Sequence, residues 1–316
     1  MKYRITHSTL YQYSQLVGLC QNEARLKPRD FWRQQCHSCV FDIGPEPCDF
    51  NERIDFFGNH VAYFAIQQPH QRLLVTVTSE VTVFPKDMRN ELGNNLTWEQ
   101  VRDQLQETTC KTPIQSQLQN GTAQSQSQNS LLNTYDELQD AKLYLLDSPM
   151  LVASADLLAY AQISFQAGRP LVEAVADLMR RIHVDFTYDP SFTTIATPLS
   201  DVLHFRRGVC QDFAHLAIGC LRSMGLAARY ISGYVETLPE HGKQRLVGAD
   251  ASHAWFAVYV PEAGWLEFDP TNNKQPFDQH ITLAWGRDYT DVTPLKGIAF
   301  GGGQHTLSVS VDVLGL

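Results

Sequence analysis

No run of Lys and Arg, no long hydrophobic stretch and no regular cysteine spacing occurs in this sequence of 316 residues. Each absence removes a class of function. With Lys and Arg numbering 25 against 34 Asp and Glu, the formal net charge is -9. The electrostatic footprint needed to grip a phosphate backbone is missing, so nucleic acid is not an expected partner. No segment approaches the ~20 apolar residues of a membrane-spanning helix. The start, Met1-Lys2-Tyr3-Arg4-Ile5-Thr6-His7-Ser8, is not followed by an apolar stretch of signal-peptide length. A soluble, cytoplasmic protein with no membrane partner is the expectation. The seven cysteines are an odd, scattered set, which fits reduced thiols better than a disulfide framework and leaves at least one thiol for chemistry. What is present is apolar material, 43% of residues, enough to build a core in each of two domains.

Up to about Phe84 the pattern is β-prone runs broken by turn residues, as in Val61-Ala62-Tyr63-Phe64-Ala65-Ile66 and Leu73-Leu74-Val75-Thr76-Val77-Thr78. This predicts an all-β, sandwich-like N-terminal domain over residues 1–84. Cys36 and Cys39 form a C-x-x-C within it. Residues three apart on a regular strand point to opposite faces, which argues against a shared metal. Residues 85–148 turn polar, with Gln115, Gln117, Gln119, Gln124, Gln126 and Gln128 around Asn120-Gly121. That stretch is read as a flexible insert, since it offers little apolar surface to offset its ordering entropy.

Residues 149–316 read as the catalytic part. Leu171, Ala174, Val175, Leu178, Met179 and Ile182 fall on one helical face after Pro170, and Cys210, Phe213, Ala214, Ala217, Ile218 and Leu221 repeat the template before Gly225. Cys210 thereby lands in the first turn of a helix. Strands follow: Arg229–Val235, Ser252–Val260, Trp265–Phe268, and shorter ones near Ile281 and Leu307. Helices followed by successive strands argue for an α+β fold.

A cysteine is a weak nucleophile near neutral pH unless its thiolate is favoured, and a helix start supplies partial positive charge. Gly208 before Cys210 lets the backbone bend into that turn. A base is then required. His215 sits about 140° round the same helix and points elsewhere; His204, before the turn, stays open. The stronger candidate is His253 in Ser252-His253-Ala254-Trp255, because the next strand supplies Asp269 in Phe268-Asp269-Pro270-Thr271-Asn272. Nucleophile, base and orienting acid are then all present. For the oxyanion, the Cys210 backbone N–H is one donor, with Tyr188 and Gln211 as side-chain candidates.

At these residues the sequence resembles the bacterial transglutaminase-like family, whose core is papain-like. The resemblance rests on Arg207-Gly208-Val209-Cys210-Gln211-Asp212-Phe213-Ala214-His215, Ala228-Arg229-Tyr230-Ile231-Ser232-Gly233-Tyr234, Ser252-His253-Ala254-Trp255, and Gly264-Trp265 with the Asp269 segment. Tyr3-Arg4-Ile5-Thr6-His7 and Gly286-Arg287-Asp288-Tyr289-Thr290-Asp291-Val292 extend it to most of the chain. It implies a papain-like core joined to an N-terminal β domain, with Cys210, His253 and Asp269 as the triad. One departure is Ala257, where many relatives carry a carboxylate. No calcium-loop pattern of alternating Asp and Asn is present, and neither cofactor nor metal is called for.

The expected activity is attack of the thiolate on a carboxamide or peptide carbonyl of a protein or peptide substrate, through a thioester, with water as acceptor. Transamidation of protein glutamine is the alternative, and a non-catalytic interaction module is the reading from another class. Strand parity adds a geometric expectation: the loop between the His253 and Asp269 strands has an odd number of residues or a bulge, so that Asp269 falls diagonal to His253 and hydrogen-bonds it.

Overall fold

Alternation of buried and more exposed residues at period two marks the first ten residues and residues 70–83, the pattern of strands with one face covered. The computed structural model describes residues 1–85, 95–107, 137–194, 197–236 and 252–316. They form two compact units: Met1–Lys86 with Tyr230–Trp255 and Gln275–Leu316, and Asp87–Arg229 with Phe256–Lys274.

In the first unit, β1 (Lys2–Ala24) is the central strand. Its first half pairs with β5 (His70–Val83) on one side and β13 (His305–Gly315) on the other. Its second half pairs with β4 (His60–Ile66) and β12 (Leu295–Gly301). Outside these, β2 (Gln34–Gly44) pairs with β5 and β3 (Asp49–Ile54) with β4. The sheet is thus four long antiparallel strands wide, and every one is interrupted at the same level. The interruptions lie at 12–17 in β1, between β4 and β5, between β2 and β3, and between β12 and β13. The C-terminal strands therefore complete the β sheet begun at the N-terminus.

Also in this unit, β11 (His280–Gly286) pairs antiparallel with β8 (Ala228–Val235) over Tyr230–Val235. Its other backbone edge is met by two buried side-chain amides. The Gln34 amide donates to Thr282 O at 2.8 Å and its carbonyl accepts from Thr282 N at 2.8 Å. Asn59 does the same for Trp285, at 2.9 and 3.0 Å. Each amide satisfies one peptide's donor and acceptor, as a neighbouring strand would. The guanidinium of Arg29 lies 3.5 Å from the Trp285 ring centroid.

Parity along β2 departs from the sequence argument. A bulge at His37 sets Cys36 opposite Val81 and Cys39 opposite Ser79, two positions apart on β5. Cys36 and Cys39 therefore share a face, because the extra residue of a bulge reverses the alternation beyond it. Two thiols alone do not complete the four-ligand shell of a structural zinc.

The second unit is helical around one central element. The helices are α1 (Trp98–Gln106), α2 (Ala155–Gln162), α3 (Leu171–Asp185), α4 (Leu199–Phe205) and α5 (Cys210–Ser223). α1 lies in the stretch read from sequence as a polar insert; Thr97 and Gln100 form its capping box, and it buries Val101 and Leu105. The glutamine-rich segment itself falls outside the described residues. α3 buries the six residues its periodicity predicts. α5 is buried nearly all round from Asp212 to Arg222, with α2, α3 and α4 against it. A helix covered on every side has to satisfy its polar residues internally. Arg222 does so, donating to Tyr144 O, Ser148 Oγ and Ala228 O at 3.0 to 3.2 Å. A short helix α6 (Tyr289–Val292) belongs to the first unit. Among the described residues no helix is long and apolar enough to cross a membrane.

Candidate active site

Cys210 is the first residue of α5, preceded by Val209 in extended conformation (φ -118°) as N-cap. Valine carries no side-chain acceptor for the orphan amides of a helix start. The acceptor comes from within the helix: Asp212 Oδ2 accepts the Val209 N–H at 2.8 Å. Gly208 is needed for this, since a Cβ there would stand 2.8 Å from Asp212 Cβ and 2.9 Å from Oδ2. The glycine two residues before Cys210 is thus a requirement of side-chain room. Its φ is not in the left-handed region.

Two short strands frame this turn. β6 (Thr187–Tyr188) runs parallel to β7 (Arg207–Gly208), with Thr187 N donating to Arg206 O at 2.8 Å and Asp189 N to Gly208 O at 2.9 Å. Tyr188 is half-exposed, edge-on to Phe213 with centroids 6.4 Å apart. Burial first, then the proximity of Cys210 and of Asp212, pushes its hydroxyl pKa up. Cys210 and the oxyanion candidate Tyr188 are therefore neighbours, and Gln211 is half-buried beside them in the first helical turn. Cys210 is half-buried, whereas Cys220, ten residues along the same helix, is fully buried with its thiol pushed up to about 12. His215 is buried in α5, and His204 is exposed with its ring edge-on to Phe205.

His253 is the second residue of β9 (Ser252–Val260). It stacks on Trp255 with centroids 6.0 Å apart, and its ring lies 6.1 Å from that of His280, which packs edge-on to Trp255 at 5.0 Å. His280 drew no attention in the sequence, because it sits outside every motif there. Gly233 explains the glycine of Ile231-Ser232-Gly233-Tyr234: a Cβ would come 2.1 Å from Ile281 O and 2.5 Å from the Trp255 ring. The motif tryptophan is seated on the motif glycine.

β9 leads through Pro261–Ala263 into β10 (Gly264–Phe268), with Val260 opposite Gly264 and Phe256 opposite Phe268. That is the odd-length, three-residue loop expected from parity. Asp269 follows Phe268 directly and is fully buried. Its Oδ1 accepts Thr271 N and Asn272 N at 3.0 and 3.1 Å, and its Oδ2 accepts Asn272 Nδ2 at 2.7 Å. The carboxylate thus also organises the Asp-Pro-Thr-Asn turn, which His183 Nδ1 meets at Thr271 O, 2.9 Å away.

The description "Bacterial transglutaminase-like N-terminal region" matches residues 3–82, and "Transglutaminase-like superfamily" matches residues 159–270, a span that contains Cys210, His253 and Asp269. An uncharacterized protein of Mycobacterium tuberculosis is 38% identical over 318 residues, covering 99% of this chain and 92% of that protein. The chain belongs to the bacterial transglutaminase-like family. Also similar is the protein-glutamine gamma-glutamyltransferase of Pseudomonas aeruginosa, 28% identical over 158 residues, 43% of this chain and 24% of that protein. A solved structure from Cytophaga hutchinsonii, named "Putative Cysteine Protease", matches with TM-score 0.70 and 19% identity over 99% of this chain and 90% of that one. The family fold, α+β with a transglutaminase-like core and an N-terminal β domain, is the fold of this chain.

Proposed function

We propose that this member of the transglutaminase-like family is a cysteine-dependent hydrolase of amide bonds in proteins or peptides. The observation that carries the reading is Cys210 at the start of α5, accessible and beside Tyr188, while Cys220 on the same helix is sealed in the core. The Cys210 thiolate attacks the carbonyl carbon of an amide, and the C–S bond forms as the oxyanion is held by the Cys210 N–H and the Tyr188 hydroxyl. His253, having taken the thiol proton, returns it to the leaving nitrogen as the C–N bond breaks. Water, deprotonated by His253, then attacks the thioester and releases the thiolate. Asp269 keeps His253 in the tautomer and orientation this shuttle requires.

The gamma-glutamyltransferase relative favours a second reading, in which a primary amine replaces water at the last step. Mass spectrometry of peptide pools incubated with the protein, with and without a primary amine, separates the two: cleaved or deamidated peptides indicate hydrolysis, amine-coupled glutamine indicates transamidation. Peptides unchanged under both conditions would leave the interaction-module reading standing.

A further inference from the structure

The carboxylate two residues beyond the nucleophile does more than cap the helix. Asp212 is 4% exposed, and burial pushes its carboxyl upward against the pull of Val209 N–H and the Thr193 hydroxyl. The same Oδ2 that accepts from Val209 N accepts from Thr193 Oγ1, also at 2.8 Å.

Thr193 belongs to the segment that carries Tyr188. Its start is fastened to Arg206 and Gly208 through the β6–β7 bonds. A tight turn follows, with Phe192 N donating to Asp189 O at 3.2 Å and Asp189 Oδ1 accepting from Ser191 N and Oγ at 3.0 and 2.6 Å. Its far end is tied by Thr193 to Asp212. Residues 187–193 are thus closed at both ends onto the turn that presents the thiol, and the ring of Tyr188 is braced on Phe213 between the two ties.

We propose that Thr193 and Asp212 are positioning residues, a latch that holds the 187–193 segment against the start of α5 and thereby fixes the Tyr188 hydroxyl beside the Cys210 sulfur. The proposal rests on the nucleophilic role of Cys210 argued above. The latch acts on the step in which negative charge develops on the substrate oxygen. A reaction of the thiol that makes no oxyanion does not feel it.

Hydrolysis of p-nitrophenyl acetate by the full chain tests this: the thiolate forms the C–S bond, the ester C–O bond breaks with release of p-nitrophenolate, and water clears the thioester. Thr193→Val removes one tie and keeps the shape, a smaller risk to folding than Asp212→Ala. It is expected to lower kcat by about ten- to a hundredfold, a fraction of the loss of one oxyanion donor. KM and the rate of Cys210 alkylation by iodoacetamide should stay within about twofold, because neither uses the donor. Thr193→Ser, which keeps the hydroxyl, should restore most of kcat. Adding Thr193→Val to Tyr188→Phe should cost little beyond Tyr188→Phe alone, since the latch works through that hydroxyl. Wild-type kcat in Thr193→Val, no rescue by Thr193→Ser, or full multiplication of the two losses would overturn the latch. Failure of the underlying reading looks different: Cys210→Ala would keep its turnover, whatever Thr193 does.

Discussion

Two cysteine motifs, Cys36-His37-Ser38-Cys39 on β2 and Arg207-Gly208-Val209-Cys210 at α5, put the same chemical group into opposite circumstances. On β2 the thiols belong to a sheet. The bulge turns both to one face, and burial raises both, Cys36 to about 11 with a smaller push from Cys39. At α5 the thiol stands at a helix start whose capping carboxylate comes from inside the helix and whose preceding strand pairs Gly208 with Tyr188. A cysteine motif takes its meaning from the backbone that carries it. A strand removes a thiol from chemistry by desolvating its anion, and a helix start offers that anion unpaired N–H groups.

The contrast breaks first at turnover. Cys210→Ala should reduce turnover by about 10⁴-fold or more and abolish thioester trapping. The Cys36→Ser/Cys39→Ser double variant should stay within about twofold of the parent. Loss of activity in a double variant that still melts normally would erase the distinction.

Asp269 comes next, because it holds a turn as well as its proposed role toward His253. Asp269→Ala should lower turnover by roughly 10²- to 10⁴-fold while leaving some trapping. It should also lower the melting temperature, since three turn donors lose their acceptor. Rate per folded molecule separates the two contributions, and near-normal turnover in the folded fraction would remove Asp269 from the mechanism.

In the β unit, pH acts on the fold and not on the thiol. His7 is buried, meets Thr9 Oγ1 through Nε2 at 3.0 Å and the Tyr234 hydroxyl through Nδ1 at 2.8 Å, and burial lowers its pKa to about 4. Between that value and the unfolded value near 6.5, the unfolded chain binds more protons than the folded one, so stability falls as pH drops through this window. The loss approaches about 3 kcal/mol below pH 4. Thermal melts from pH 7 to pH 4 should show that slope, and His7→Gln should flatten it; an unchanged slope in the variant would assign it to other groups.

The smallest effect expected is at Gly208. An added Cβ forces the Asp212 side chain aside, at a cost of about 1–3 kcal/mol. Urea denaturation of Gly208→Ala measures it, and a destabilisation no larger than that of a surface substitution would show that Asp212 has room after all.

Much of the core was open to sequence reasoning because it is periodic. α3 buries the six residues of its apolar stripe, and β9 and β10 meet in the register that parity required. α1 was hidden because a short, polar helix has little stripe to read, although Thr97 and Gln100 carried the capping signal. The wrapping of α5 was also hidden: its stripe predicts one buried face, but burial of Asp212, His215 and Arg222 depends on which helices lie against the others.

The sequence by itself determined the types of the elements that carry the motifs, the placement of Cys210 at a helix start and the family, because periodicity and motif spacing are local. Only the tertiary structure decided that β12 and β13 close the sheet begun by β1, that Gln34 and Asn59 stand in for a missing strand beside β11, and that Thr193 ties to Asp212. These are pairings between residues distant in the chain, and no local pattern selects one partner among the many polar groups able to fill the same hydrogen bond. The bulge at His37 belongs with them, since a one-residue slip that reverses a strand's faces is set by the partner strand and leaves no mark on composition.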